Sequence, residues 1–177
     1  EYGLIAIILT LIIISGEIDL SIASMIALTA VIFGTAYNAG LGMPISMLIA
    51  LFSGTLCGLF NGILVTQLQI PSIILTIGTL TLYRGIAQSL ASDFSLGGYP
   101  SWFIGIDYRY IGIVPIPVII FTVFAIVVGF FLSSTIYGKQ LYLIGTNPQT
   151  AKYSGIKVDR IKPVSYTHLT LPTTGVV

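Results

Sequence analysis

Apolar residues in this chain run in unbroken blocks rather than alternating with polar ones. Five blocks stand out, at residues 2–15, 18–37, 44–66, 71–91 and 113–135. Between them lie stretches of turn chemistry: Ser15-Gly16, Asn38-Ala39-Gly40, residues 67–70, Gly97-Gly98-Tyr99-Pro100 and Tyr137-Gly138. A membrane-spanning helix needs about 20 consecutive apolar residues. The last four blocks reach that length, and the first is short, as for a helix cut by the start of the sequence. Hydrocarbon supplies no hydrogen-bond partner, so isolated spans must satisfy their own backbone groups as helices. The expected fold class is therefore all-α, a polytopic transmembrane helical bundle with about five spans, the first truncated.

Composition agrees. Of 177 residues, 55% are hydrophobic and 7% charged, and the mean hydropathy is +1.02. Soluble domains carry about a quarter charged residues, so there is too little polar surface here to cover a water-soluble globule. The net charge of +1 gives no footprint for nucleic acid. The single cysteine, Cys57, lies in an apolar run and has no internal disulfide partner, which makes it a small core residue. Glu1 is followed directly by an apolar run without a basic flank, so the chain is expected to begin inside a longer protein.

The distribution of charge sets an orientation. Lys139, Lys152, Lys157, Arg160 and Lys162, five of the seven Lys and Arg residues, fall within 137–162 and are opposed there only by Asp159. Positive charge concentrated in a short loop marks the cytoplasmic side. Counting back, block 113–135 runs inward, 92–112 is external, 71–91 runs outward, 44–66 inward and 18–37 outward. The external stretch holds Asp93, Asp107 and Arg109, with no basic excess.

Four motifs carry further information. Gly54, Gly58 and Gly62 repeat every fourth residue in GTLCGLFNG, lining one helical face where another helix can approach closely; Ser53, Cys57 and Asn61 widen that face, and Asn61 can hydrogen-bond across helices. SGEIDLSIAS, residues 15–24, sets Glu17 and Asp19 at a break between apolar runs. Acids at membrane depth are costly, and three readings fit them: an interfacial N-cap by Asp19 or Ser21, a polar hinge or gate, and a proton-coupling pair. Arg84, in TLYRGIAQ, falls towards the external end of its block, either snorkelling to the interface or lining an external mouth. Asn147, Pro148 and Gly155 are the N-cap, first position and stop signal of a short helix, too short to span and too basic to enter the membrane. Such a bounded cytoplasmic helix suits a partner's groove, or a plain connector. No metal-ligand cluster, nucleophile with its base, or phosphate-binding glycine loop is present in the sequence, and Gly97-Gly98 lacks the strand–helix context of a nucleotide site. Neither cofactor nor metal is expected.

GEIDLSIAS, NGILVTQLQIPSIILTIGTLTLYRGIA and YGKQLYLIGTNPQTAKYSGIKVDRIK, in that order and at these separations, resemble the permease subunits of bacterial ABC sugar importers. The matching group is the ribose, xylose, arabinose and rhamnose importers, together with importers of the furanosyl quorum signal. The resemblance covers residues 1–162 and implies an all-helical, multi-pass permease of the bacterial plasma (inner) membrane, of which this chain is a fragment. It implies dimerisation with a second permease subunit, identical or not, a cytoplasmic ABC ATPase subunit that supplies the energy, and an extracytoplasmic sugar-binding protein docking on 92–112. The permease itself would be no enzyme and would contact membrane lipid, not nucleic acid. NPQTAKYSGI falls where the family has its ATPase-coupling helix; Gly145, Asn147, Pro148, Ala151, Gly155 and Ile156 match that pattern, and Lys152 lies within it.

The chain also departs from the family. Glu17 stands where the family's acidic motif has a second glycine, which alters the hinge. An initial span and a later group of helices lack counterparts. After Lys162 the text PVSYTHLTLPTTGVV resembles a translated transposon-end sequencing adapter, so 163–177 is expected to be non-native and its histidine, His168, without function; a genuine polar loop is the alternative. Two other functional classes compete with the permease: an ion- or proton-coupled secondary transporter using Glu17 and Asp19, and a membrane scaffold held by its glycine face.

Overall fold

The computed structural model describes residues 2–91 and 96–156. The expectations attached to Asp93, Lys157, Asp159, Arg160, Lys162 and His168, and to the segment 163–177, lie outside the described residues. Among the described residues, four helices are long and apolar enough to cross a membrane: α2 (Ile22–Ala36) with the π-turn Tyr37–Leu41 that extends it, α3 (Met43–Gln67), α4 (Ser72–Ala91) and α6 (Ile116–Ser134). The 13 residues of α1 (Tyr2–Ile14) rise about 20 Å, short of the roughly 30 Å hydrocarbon core.

The bundle is organised on α2, which packs along both α3 and α4, while α6 leans on α1. Three apolar clusters stack along it. Ile8, Ile12, Ile22 and Val65 close the end where α1 meets α2. Met25, Leu28, Tyr83 and Ala87 fill the middle. Phe33, Met43, Ala50 and Phe103 close the far end, where rings stack at 5.4 Å for Phe33–Tyr99 and 5.6 Å for Phe33–Phe103. α6 buries none of its residues within the chain, an arrangement that costs nothing where the solvent is hydrocarbon.

Local chemistry explains where the elements differ from the apolar blocks. The second block begins at Ile18, yet α2 begins only at Ile22, because Asp19 accepts the Ser21 N–H and so offers the backbone an alternative to the helix. The stretch read as an external loop contains α5 (Ser101–Tyr108), followed by a minimal antiparallel hairpin of β1 (Tyr110–Ile111) and β2 (Val114–Pro115) with Ile111 opposite Val114. The basic loop is more helical than its turn signals suggest, comprising α7 (Ile136–Thr146) and α8 (Pro148–Tyr153). The break before α7 comes at Thr135 rather than at Tyr137-Gly138: the Thr135 hydroxyl accepts the Gly138 N–H at 3.1 Å and starts the new helix.

This corner is so tight that a Cβ on Gly138 would stand 2.6 Å from both the Leu132 Cα and the Phe131 carbonyl oxygen. Backbone cannot yield as a side-chain tip can. Gly138→Ala should therefore destabilise the protein by about 2 kcal/mol. Gly129→Ala, in open space on α6, should change stability by less than about 1 kcal/mol. Thermal unfolding in detergent distinguishes the two, and equal midpoints would contradict the corner geometry.

Candidate functional site

The two acids of the SGEIDLSIAS break have different surroundings. Glu17 is half-buried, whereas Asp19 is 3% exposed and Ser21 is fully enclosed. Asp19 is therefore no exposed interfacial cap, and Ser21, although it occupies the N-cap position of α2, makes no side-chain cap. One oxygen of Asp19, Oδ1, accepts both the N–H of Ser21 at 2.7 Å and its hydroxyl at 2.6 Å. The Ser21 hydroxyl in turn accepts from Asn61 Nδ2 at 2.9 Å. Asn61 Oδ1 accepts from the Tyr83 hydroxyl at 3.0 Å, which also lies 3.1 Å from the Cys57 carbonyl oxygen. A continuous hydrogen-bonded chain thus crosses from the break through α3 to α4. Asp19 Oδ2 is buried and has no hydrogen-bond partner among the described residues, a costly condition for a carboxyl oxygen. The break is also fastened to the start of α4, where the Ser72 hydroxyl receives the Ile18 N–H at 3.4 Å.

Gly16 turns the chain with φ +81°, a conformation open to glycine and unfavourable for most side chains. Against it lies Gly145, in the last turn of α7. A Cβ on Gly145 would fall onto the Ile14 carbonyl oxygen and stand 3.4 Å from the Gly16 nitrogen. Only two bare backbones can approach so closely.

Two residues further on, Asn147 ends α7 and caps α8, its Oδ1 accepting the N–H groups of Gln149 at 3.0 Å and Thr150 at 3.1 Å. Pro148 takes the first position, and Gly155, with φ +80°, ends the turn that follows. Ala151 is the buried residue of α8 and Ile156 is half-buried, while Asn147, Pro148 and Lys152 are exposed. Lys152 lies in the last helical turn, where a cation complements the helix dipole.

The remaining candidates fall elsewhere. Gly54, Gly58 and Gly62 are buried along α3 together with Asn61. Arg84 is exposed on α4, although its neighbour Tyr83 is buried, and it takes no part in the polar chain. Tyr83 and Ser72 were not among the residues singled out from the sequence. The available signal for Tyr83 was its hydroxyl in the middle of an apolar span, since a buried tyrosine usually finds a partner.

Comparison with known proteins decides the family. The family model for the permease component of branched-chain amino acid transport systems matches residues 1–170. The chain belongs to this permease family. Proteins named autoinducer 2 import system permease protein LsrD are 36% identical to it over 166 residues, covering 89% of this chain and 50% of the relative, in Escherichia coli K12 and O157:H7 and in Shigella flexneri. The chain thus spans about half the length of the curated relatives it matches. No solved structure matches it. Its relatives are import permeases rather than enzymes, and it is a multi-pass chain of the bacterial inner membrane, the class and location implied by the motifs.

The polar chain makes a graded prediction. Tyr83→Phe leaves Asn61 Oδ1 without its donor and should cost about 1 kcal/mol. Asn61→Ala breaks both links and adds a cavity, so it should cost about twice that. Chemical unfolding in detergent measures both; equal stability of Asn61→Ala and the unsubstituted protein would contradict the network.

Proposed function

We propose that this chain forms part of the membrane-spanning permease subunit of an ATP-binding-cassette importer, moving a sugar or furanosyl signal delivered by an extracytoplasmic binding protein. The observation that carries the reading is α8: a capped, exposed, basic helix that follows the membrane helices, in the Asn147–Ile156 stretch that resembles the family's coupling motif. Positive charge at Lys139 and Lys152 supports a cytoplasmic position for this end, where a cytoplasmic ABC ATPase can seat the helix in a groove. The external end, with Trp102 and Tyr108 exposed around α5, suits docking of the binding protein. A second permease subunit, identical or not, completes the pathway. The relatives' import of autoinducer 2 makes a furanosyl compound the first substrate to test. Segment 163–177 is proposed as non-native sequence and is left out of the expressed protein.

In mechanism, ATP binding closes the ATPase subunits, α8 moves with them, and the membrane helices convert that motion into alternating access. The chain's own residues bind no nucleotide. One observation favours a second reading: the buried Asp19 carboxyl at a helix break is the kind of group that carries protons in coupled transporters.

The full permease containing this sequence, reconstituted with its ATPase and binding protein in proteoliposomes, separates the two. Uptake of labelled autoinducer 2, ribose or rhamnose should require ATP, persist with a protonophore, and keep its ATP dependence in Asp19→Asn. Uptake that ignores ATP and collapses with the protonophore would sustain the proton-coupled reading instead. Asn147→Ala removes a cap worth about 1 kcal/mol and should weaken ATPase association about fivefold; unchanged copurification would count against α8 as the contact.

A further inference from the structure

Between α8 and the membrane helices, one contact is closer than any side chain would permit. We infer that Gly145 and Gly16 are positioning residues that pass movement of α8 to the Asp19–Ser21–Asn61–Tyr83 chain, so that this hydrogen-bonded chain rearranges when nucleotide acts on the ATPase. The inference rests on the importer reading above and assigns residues to its transmission step.

Three independent features carry it. First, Gly145 precedes the Asn147 cap by two residues, and the Asn147 N–H is bonded to the Leu143 carbonyl at 3.2 Å, so α8 is tied directly to the last turn of α7. Second, the approach of Gly145 to Ile14 and Gly16 is backbone against backbone. Such a contact has no flexible side chain to absorb a displacement, so a shift of α7 is passed on to the break. Third, the break is held by few groups, and one of its buried polar atoms is left unsatisfied. Asp19 Oδ1 carries two hydrogen bonds while the buried Oδ2 carries none among the described residues, so a modest shift that brings Oδ2 to a donor is favoured. Packed elements with two discrete arrangements are the physical means by which small displacements become switches. The polar chain then distributes the change, since Ser21 starts α2, Asn61 belongs to α3 and Tyr83 to α4.

The test uses the assembled full-length permease with its ATPase, and ATP as the probe, so no substrate need be known. In the unsubstituted complex, amide exchange of residues 17–22 should change about tenfold on adding ATP, the size expected of a coupling of one to two kcal/mol. In Gly145→Ala the ATPase should still copurify and hydrolyse ATP, but the exchange response at 17–22 should be lost. A purely structural role would lower stability without separating ATP hydrolysis from that response. A Gly145→Ala complex that keeps the full response overturns the inference. Should that variant not fold, the unsubstituted complex still decides: absence of any nucleotide response at 17–22 overturns it as well. If the ATPase does not associate with the unsubstituted permease at all, the importer reading falls, and the transmission step with it.

Discussion

Hydrocarbon offers no hydrogen-bond partner, so any interruption of a helix within a membrane bundle must be satisfied by the protein itself. The interruption between α1 and α2 is where this chain meets that demand. Asp19 answers the Ser21 N–H, Ser72 answers the Ile18 N–H, and Asn61 and Tyr83 complete the pairing of the hydroxyl and amide groups. The partners from outside the break come from two helices, Asn61 from α3 and both Ser72 and Tyr83 from α4. The rotation of α3 about its axis, the register of α4 and the starting point of α2 are thereby tied to a few buried polar atoms.

Around that constraint the apolar residues act as filler with loose demands. Ile8, Ile12 and Ile22 pack on Val65 beside the break, and Met25 and Leu28 pack on Tyr83 above it. Leucine and isoleucine gain little from meeting one another when the alternative is lipid, so small residues and polar pairs decide how the helices fit. Gly54, Gly58 and Gly62 lie buried on the same helix as Asn61, whose side-chain amide reaches the Ser21 hydroxyl.

The two ends of the bundle are built differently. Aromatic rings from α2, α5 and the segment before α5 interlock at one end. At the other end, the α6–α7 corner and the Gly16–Gly145 contact bring a basic amphipathic segment against the membrane helices. The two ends therefore differ in chemistry, one closed by interlocked aromatic rings and the other by close backbone contact.

Much of this was legible in the residues. Block length and low charge determined a helical membrane chain; turn residues marked its breaks; and Asn147, Pro148 and Gly155 defined α8 before any coordinates, because capping depends on groups within one or two turns of chain. Family membership was equally legible, being written in contiguous motifs. Tertiary structure decided what depends on distant partners. Asp19 could be a solvated cap or a buried member of a network until Asn61 and Tyr83, 40 and 22 residues apart from their respective partners in sequence, were brought to it. Nothing local to Gly145 indicates that Ile14 and Gly16 lie against it. Sequence periodicity records which side of a helix is apolar, but in a membrane nearly every side is, so only packing could choose among them.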